Sequence, residues 1–230
     1  MMRRVFHRAK AIIAVSESAR KLVLSKMPEV GKKTFVVYHG ISVPYEKHRE
    51  QQEINELKSS LGLRNEDKIL LTVARLALDK GQDNVIRALP RVLQKIPNVK
   101  YVVVGSGRCE GELKALTRAE GMSSVVRFVG NVRRYKIWPY YEMCDVFVMT
   151  SRRGNRESFG ISFIEAVAFG KPSIGGAQGG MLEVIDDGVS GIMVDPDSSD
   201  DIANAIVNIF ACPETAARMG EQARKRFAST

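Results

Sequence analysis

Short apolar runs alternate with one-sided amphipathic segments along most of this chain, and this alternation constrains the fold more than any other feature. The run Ile69–Ala74 is almost entirely apolar, which is typical of a strand buried on both faces. In the next segment, apolar residues recur at positions 85, 86, 89, 92, 93 and 96, the spacing of one helix face. Strand followed by helix indicates βαβ units and a parallel sheet covered on both sides.

The same pattern continues to the end of the chain and predicts an α/β fold, a Rossmann-like doubly wound parallel sheet over residues 61–230. Five further strands are predicted at Tyr101–Val104, Val125–Val129, Val146–Met149, Ser173–Ile174 and Ile192–Val194. The helices are predicted over 82–96, from about Glu110, near 135–143, 159–169 and 179–186, and through positions 202–210 after a cap at Ser198 or Ser199.

The first 41 residues show a shorter version of the pattern. They predict strand, helix and strand, with Ser16 as the helix N-cap and a strand at Thr34–Tyr38. A single βαβ remnant of this size cannot bury a sizeable core by itself. We therefore expect it to dock on the following domain, or on something absent from the chain. Residues 42–60 are predicted to be a linker that contains a short polar helix near Glu53–Leu61.

Charge and apolar run lengths narrow the class of protein. No run approaches the length of a membrane span, and no secretory leader is apparent, so a cytoplasmic protein is expected. Residues 1–33 carry nine Lys or Arg against two Glu, most of the formal net charge of +9. This basic stretch is either a solvated surface or a contact for an anionic partner, which leaves peripheral membrane contact open. No nucleic-acid motif accompanies it, so no nucleic-acid partner is expected.

The three cysteines and three histidines are scattered and form no metal-binding or redox spacing. We expect the cysteines to be reduced thiols, most of them buried. The sequence therefore predicts no metal site and no bound cofactor.

In open α/β sheets, ligands bind beyond the carboxyl ends of the strands. The first such loop in the predicted sheet carries Arg75 and Lys80, followed by Gly81. Two cations at a strand end suit a diphosphate, with arginine as a fork and lysine as a point charge. The alternative is a pair of solvated loop charges without a ligand.

Residues 105–111 read Gly-Ser-Gly-Arg-Cys-Glu-Gly after the next strand. This resembles a dinucleotide fingerprint, but its last interval is one residue too long, and the following strand lacks the acidic residue that a nicotinamide ribose usually requires. A tight glycine turn explains these residues without NAD, and an NAD-dependent enzyme is disfavoured.

The strongest group of residues lies in 151–165, which reads Ser-Arg-Arg-Gly-Asn-Arg-Glu-Ser-Phe-Gly-Ile-Ser-Phe-Ile-Glu. We place Glu157 in the loop before a helix and Glu165 inside that helix, because Gly160 is a poor interior helix residue. The helix N-terminus at Phe159–Ile161 then faces the site and can bind an anion. Glu165 lies among apolar residues, where a carboxylate needs a hydrogen-bond partner such as a ribose hydroxyl. The alternative is that both glutamates are exposed surface charges.

A glycine-rich turn follows the strand at Ser173–Ile174. Four glycines in residues 175–180 allow the backbone to approach a ligand closely. The alternative is a plain flexible turn.

Taken together, these residues resemble the C-terminal half of family 4, or group 1, retaining glycosyltransferases of the GT-B fold. That pattern comprises an Arg to Lys-Gly loop, a Glu-x7-Glu motif with Phe-Gly after its first Glu, and a Gly-Gly-x-x-Glu turn. The matching positions here are Arg75, Lys80-Gly81, Glu157 with Phe159-Gly160, Glu165, and Gly179-Gly180 with Glu183. The match covers about 69–228. Ser158 and Leu182 depart from the usual Gly and Pro, and neither removes a charged group.

The resemblance implies a role for each position. Arg75 and Lys80 would hold the donor diphosphate, and Glu165 would bind the ribose hydroxyls. Glu157 would contact the transferred sugar, and we assign it with the two cations to the catalytic group. Backbone near Phe159, Gly160 and Ile161 would approach the phosphate or sugar, and backbone at Asn131 and Val132 would face the base.

The implied function is transfer of a hexose from a UDP- or GDP-sugar to a glycan or lipid-linked acceptor, with retention of configuration. The family's N-terminal domain, which binds the acceptor, is represented only by the βαβ remnant. The chain alone is therefore expected to transfer little or nothing. The alternative is a non-catalytic nucleotide-binding module, or a truncated domain that needs a partner domain. Nothing in the sequence supports a GT-B epimerase or phosphorylase.

Overall fold

The computed structural model of the protein describes residues 2–41, 51–152, 160–177 and 179–228. Two of the predicted site residues, Glu157 and Phe159, lie outside the described residues, as does Ser158.

The N-terminal unit, residues 2–41, contains two helices and two short parallel strands. Its elements are α1 (Met2–Arg8), β1 (Ile12–Ala14), α2 (Glu17–Lys26), a 3-10 helix (Pro28–Lys33) and β2 (Thr34–Val36). The predicted strand–helix–strand order is confirmed, and the hydroxyl of Ser16 accepts a hydrogen bond from the Ala19 amide as the N-cap of α2. The sequence analysis assigned no helix at α1.

Helix α3 (Gln51–Ser60) follows and places Ile54 in the apolar cluster beneath α6 and α7. It lies inside the segment predicted to be a linker. The domain boundaries at 41 and 60 remain a prediction.

Six parallel strands form the main sheet, in the order β5-β4-β3-β6-β7-β8. Together with the helices between and after them they make up what we call the sheet domain, residues 68–228. The strands are β3 (Lys68–Val73), β4 (Val99–Val104), β5 (Val126–Gly130), β6 (Val146–Met149), β7 (Ser173–Gly176) and β8 (Gly191–Val194). The predicted doubly wound parallel sheet is confirmed.

Helices cover both faces of this sheet. They are α4 (Gln82–Leu93), α5 (Glu110–Ala119), α6 (Trp138–Met143), α7 (Ile161–Ala168), α8 (Met181–Val184), α9 (Ser199–Ala211) and α10 (Pro213–Ala228). Alternate side chains of one strand enter opposite layers, since Leu70 packs with α4, α5 and α9 whereas Leu71 packs with α6, α7 and α8. This explains why the strands read as continuous apolar runs.

Helix α10, the longest helix in the described part of the chain, was not predicted from the sequence. Its inward side is built partly from small side chains, with Met219 and Ala223 buried, so the apolar period is weak. The helix packs against α7, and a Cβ on Gly220 would lie 1.9 Å from the carbonyl oxygen of Gly170 in the turn that follows α7. No helix in the described ranges is long and apolar enough to span a lipid bilayer.

The chain crosses from one face of the sheet to the other between β5 and β6. Connections before this point run over one face and those after it run over the opposite face. The carboxyl edge of the sheet beside this crossing point is the usual ligand position in this topology.

Candidate functional site

The turn after β3 places two predicted cations at the carboxyl edge. Arg75 is exposed, and Lys80 is half-buried at the end of a 3-10 turn, Leu78–Lys80. The next residue, Gly81, has φ +73°, and a Cβ there would lie 2.0 Å from the Thr150 carbonyl oxygen. Only glycine allows α4 to begin this close to the end of β6. The side chain of Gln82 then donates to the Arg75 carbonyl at 2.9 Å and holds the turn from below.

The turn after β4 is fastened to the turn after β3 by main-chain hydrogen bonds. The Leu76 amide donates to Ser106 at 3.0 Å, and the Cys109 amide donates to Leu76 at 3.1 Å. Cβ atoms on Gly105 and Gly107 would lie 1.9 Å and 2.3 Å from the carbonyl oxygens of Ala74 and Leu76. The two glycines are thus explained by close packing of two turns, without a dinucleotide.

These two turns line a cleft of about 390 Å³, formed by Arg75, Leu76, Ala77, Asp79, Gly107 and Arg108. The sequence analysis did not assign Arg108 to the site. The signal was present, because Arg108 follows the glycines of a turn that was itself placed at the sheet edge. The cleft therefore brings two arginines together, Arg75 and Arg108, and both face solvent.

Helix α7 begins at the same edge. Its N-cap, Gly160, has φ +67°, and a Cβ there would lie 2.8 Å from the Met181 Sδ. Helix α7 therefore begins at Ile161, two residues later than the predicted start at 159. Gly160 brings its first turn into close contact with α8. Ile161 is 39% exposed. The amides of a first helical turn have no partner inside the helix and favour an anion.

Glu165 lies on the inner side of α7 and is almost completely buried. Its Oε2 accepts a hydrogen bond from the Tyr141 hydroxyl at 2.6 Å, and its Oε1 lies 3.8 Å from the Arg134 guanidinium. Burial raises the pKa of Glu165, while the Tyr141 hydrogen bond and the Arg134 charge oppose that rise. The need for a hydrogen-bond partner was predicted from the sequence, but Tyr141 was not identified as that partner. At 3.8 Å, Oε1 is beyond hydrogen-bond distance of Arg134 and can accept from a ligand hydroxyl.

Asn131 and Val132 line a different and larger cleft, of about 670 Å³. Side chains of α3, including Glu53 and Glu56, form its opposite wall. Arg134, two residues beyond Val132, reaches back toward Glu165. The structure thus connects the 131–134 segment with Glu165, but Asn131 and Val132 do not line the cleft that contains Arg75.

The arrangement has three parts along one edge of the sheet: a cationic cleft, a helix N-terminus and a buried carboxylate near Arg134. Within the described residues, no group of three or more His, Cys, Asp or Glu side chains is placed to hold a metal ion. Such an edge can bind a ligand that has an anionic centre and hydroxyl groups on both sides of it.

Comparison with known proteins gives a family match. The model of the family described as "Glycosyl transferases group 1" matches residues 53–226. An uncharacterized glycosyltransferase of Methanocaldococcus jannaschii, MJ1607, is 34% identical over 201 residues, which are 87% of this chain and 50% of the relative.

Two other proteins also resemble the chain. The GDP-mannose-dependent alpha-(1-6)-phosphatidylinositol monomannoside mannosyltransferase of Mycolicibacterium smegmatis is 34% identical over 68% of this chain and 42% of its own length. The crystal structure of Anabaena Alr3699/HepE in complex with UDP and glucose superposes with a TM-score of 0.85 at 26% identity. That match covers 96% of this chain and 59% of HepE. The chain therefore spans about half the length of the relatives it matches.

Proposed function

Because this chain belongs to the group 1 glycosyl transferase family, we propose that it forms the nucleotide-sugar-binding part of a retaining hexosyltransferase. The donor is a UDP- or GDP-sugar, and the acceptor is a glycan or a lipid-linked saccharide. The observation that carries the proposal is the cleft that brings Arg75 and Arg108 together at the carboxyl edge of the sheet.

The cleft suits the leaving group of such a reaction. As the glycosidic bond to a nucleotide sugar breaks, negative charge grows on the departing diphosphate. Arg75, Arg108 and Lys80 lie on turns that are already fixed by backbone contacts, so they stabilise this charge without rearranging. The first turn of α7 supplies amide dipoles directed at the same edge. In this proposal the charge is offset by protein groups, and no metal or other cofactor takes part.

Glu165 and the 131–134 segment supply the nucleoside half of the site. Oε1 of Glu165 accepts from a ribose hydroxyl, while Tyr141 holds Oε2 in place. The backbone of Asn131 and Val132 faces the base in the neighbouring cleft. The UDP-bound HepE and the GDP-mannose-dependent mannosyltransferase leave either base as a candidate.

Glu157 contacts hydroxyls of the transferred sugar, together with the Phe159–Ile161 backbone. Retention follows from attack on the same face that the diphosphate leaves, assisted by the leaving phosphate. Glu157 and Glu165 are therefore not a glycosidase acid and nucleophile pair. For any glycoside product, the one-bond carbon–proton coupling constant at the anomeric carbon reports its configuration. A product whose configuration is inverted relative to the donor contradicts retention.

The acceptor is bound by a further domain in this proposal, of which the N-terminal unit is the last part. The basic residues of that unit are available for peripheral contact with an anionic membrane. No nucleic-acid partner is proposed.

Calorimetric titration of the whole chain with UDP, GDP, UDP-glucose and GDP-mannose tests the proposal. We expect one base to bind at least about tenfold tighter than the other, since a site that hydrogen-bonds one base leaves polar groups unpaired with the other. Arg75→Ala should weaken the tighter nucleotide on the order of tenfold or more, because it removes a charge-assisted contact to phosphate.

The matched control is Arg118→Ala. Arg118 is an exposed arginine in the last turn of α5, at the opposite edge of the sheet. Its loss should leave nucleotide affinity unchanged. If none of the four ligands binds, or if Arg75→Ala and Arg118→Ala weaken binding equally, a diphosphate site at the β3 and β4 turns is contradicted.

A further inference from the structure

Three turns at the carboxyl edge meet at one side chain that the sequence analysis did not assign to any role. Arg152 follows β6 and is only 25% exposed, unlike Arg75 and Arg108, which face solvent. Its own amide donates to the Asp79 carbonyl oxygen at 3.0 Å. The end of β6 is thereby paired with the turn that carries Arg75 and Lys80.

The Arg152 guanidinium uses all three of its nitrogen atoms in contacts within the protein. Nη1 donates to the Leu78 carbonyl at 2.7 Å, and Nη2 donates to Asp83 Oδ2 at 2.6 Å. Nε donates to Asp197 Oδ1 at 3.1 Å, in the turn after β8. One fork therefore joins the turns after β3, β6 and β8, a geometry that lysine cannot reproduce.

The two aspartates make two of these contacts ion pairs. Asp83 lies in the first turn of α4, directly behind the 3-10 turn, and its side chain is 14% exposed. Among the described residues, no group donates a hydrogen bond to Asp83 Oδ1. Burial lowers the pKa of Arg152, but the hydrogen bonds and charges of Asp83 and Asp197 outweigh burial and raise it overall. The guanidinium is thus a permanent counter-charge for two carboxylates next to a cationic cleft.

We propose that Arg152 is a positioning residue of the diphosphate site: it holds the Leu78–Lys80 turn in place and offsets the carboxylates of Asp83 and Asp197. Each of its three nitrogen atoms already donates to the protein, and in this proposal it acts through the turn and the two carboxylates rather than by direct contact with the ligand. Without it, the turn that carries Lys80 loses a side-chain anchor, and Asp83 repels a phosphate bound in front of it. The identity of the ligand rests on the proposed function, whereas the anchoring of the turn does not.

Amide hydrogen exchange tests the anchoring without a ligand. The Lys80 and Gly81 amides donate to Ala77 and Leu78 within the turn. We expect Arg152→Met to speed their exchange on the order of tenfold, because the turn opens more often. Arg91→Met is the matched control. It also removes an arginine–aspartate contact between α4 and the start of α9, to Asp200 at 2.8 Å, but it leaves the contacts of Arg152 with Leu78, Asp83 and Asp197 in place. Equal exchange at Lys80 in both variants overturns the proposal, whether or not nucleotide binds.

Calorimetric titration with UDP and GDP tests whether Arg152 offsets the charge of Asp83 near the bound nucleotide. Arg152→Met should weaken the tighter nucleotide on the order of tenfold, whereas Arg91→Met should change it by less than about twofold. Adding Asp83→Asn to Arg152→Met should recover part of the loss, because the buried carboxylate no longer repels phosphate. A double variant that binds no tighter than Arg152→Met overturns the proposed charge balance. If the wild-type chain binds neither nucleotide but Arg152→Met still loosens the turn, the proposed function fails and the positioning role stands.

Discussion

The N-terminal unit and the sheet domain show the same βαβ pattern in their sequences, but they are stabilised differently. In the sheet domain, Leu70 and Leu71 are both fully buried because helices cover each face. In the N-terminal unit, the apolar cluster of buried residues is Ile12, Met27 and Val30, and α2 has no buried residue. Apolar packing can stabilise the sheet domain, but it cannot by itself stabilise the N-terminal unit.

Polar contacts take a larger part in the N-terminal unit. Arg20 donates to the Thr34 carbonyl at 3.2 Å and ties α2 to β2. The decisive contact comes from the sheet domain, where both carboxylate oxygens of Glu183 accept backbone amides at the start of α2. The Glu17 and Ser18 amides each donate at 2.8 Å. A small βαβ unit thus obtains from a neighbouring carboxylate part of the order that its own core does not supply.

Core truncation should give the largest difference between the regions. Phe147 is fully buried and packs edge-to-face on Phe163 at 4.9 Å, so Phe147→Ala should cost about 3–5 kcal/mol. Val30→Ala should loosen the N-terminal unit and leave the sheet domain folded. The lone tryptophan, Trp138, lies in the sheet domain, so its fluorescence during urea unfolding reports that domain. Equal shifts of the Trp138 transition in both variants would show that the two regions unfold as one.

Loss of the Glu183 carboxylate should come next. Glu183→Ala removes two charge-assisted hydrogen bonds, each worth about 1.5–3 kcal/mol in comparable cases, so the Glu17 and Ser18 amides should exchange much faster. The Trp138 transition should move little. Glu112→Ala, at an exposed position of α5, is the control. Unchanged exchange at Glu17 would mean that the α2 N-terminus is held by its own unit.

The two serine caps make a matched pair with a smaller effect. Ser16 accepts from the Ala19 amide at 2.9 Å and Ser198 accepts from the Asp201 amide at 3.1 Å. Replacing either by alanine should cost about 1 kcal/mol. We expect Ser198→Ala to shift the Trp138 unfolding midpoint and Ser16→Ala to leave it in place. The reverse result would remove the distinction between the regions.

The smallest expected effect is a pH dependence in the sheet domain. Burial raises the folded-state pKa of Glu165 above its ordinary 4.5, so the carboxyl contributes stability while protonated and loses it as the pH rises through the folded value. Glu165→Gln stays neutral, so it should be more stable than wild type at pH 7. The gap should close below pH 4.5. Urea unfolding at several pH values checks this, with Glu112→Gln as the control. A constant gap would contradict the shift.

The central strands β3, β4 and β6 were recovered well because both of their faces are buried, so local sequence and tertiary environment agree. Val146–Met149 was placed to the residue. The helices α1 and α10 were missed because their apolar periods are short or built partly from alanine. Propensity and periodicity do not reveal an element whose order depends on docking.

For the site, the order of residues after each strand predicted which side chains lie at the carboxyl edge. It did not predict which side chains contact each other. Arg75 and Lys80 were placed at the carboxyl edge from the strand that precedes them, and the structure puts them there. The contacts of Arg152 with Asp83 and Asp197, and of Glu165 with Tyr141, join residues far apart in the chain. No spacing rule on one sequence identifies such partners. The roles of all the predicted site residues remain predictions, namely those of Arg75, Lys80, Asn131, Val132, Glu157, Phe159, Gly160, Ile161 and Glu165.

The backbone contact between the turns after β3 and β4 also has a thermodynamic consequence. Gly105 and Ala74 touch without an intervening side chain, and Leu76 bonds to both Ser106 and Cys109. The backbone that bears Arg75 and Arg108 therefore moves as one rigid unit. Its conformational entropy is lost during folding and is not lost again when an anion arrives. Under the proposed function, the ligand restricts little more than the two arginine side chains, and selectivity then depends on whether its charges fit a spacing that was set in advance.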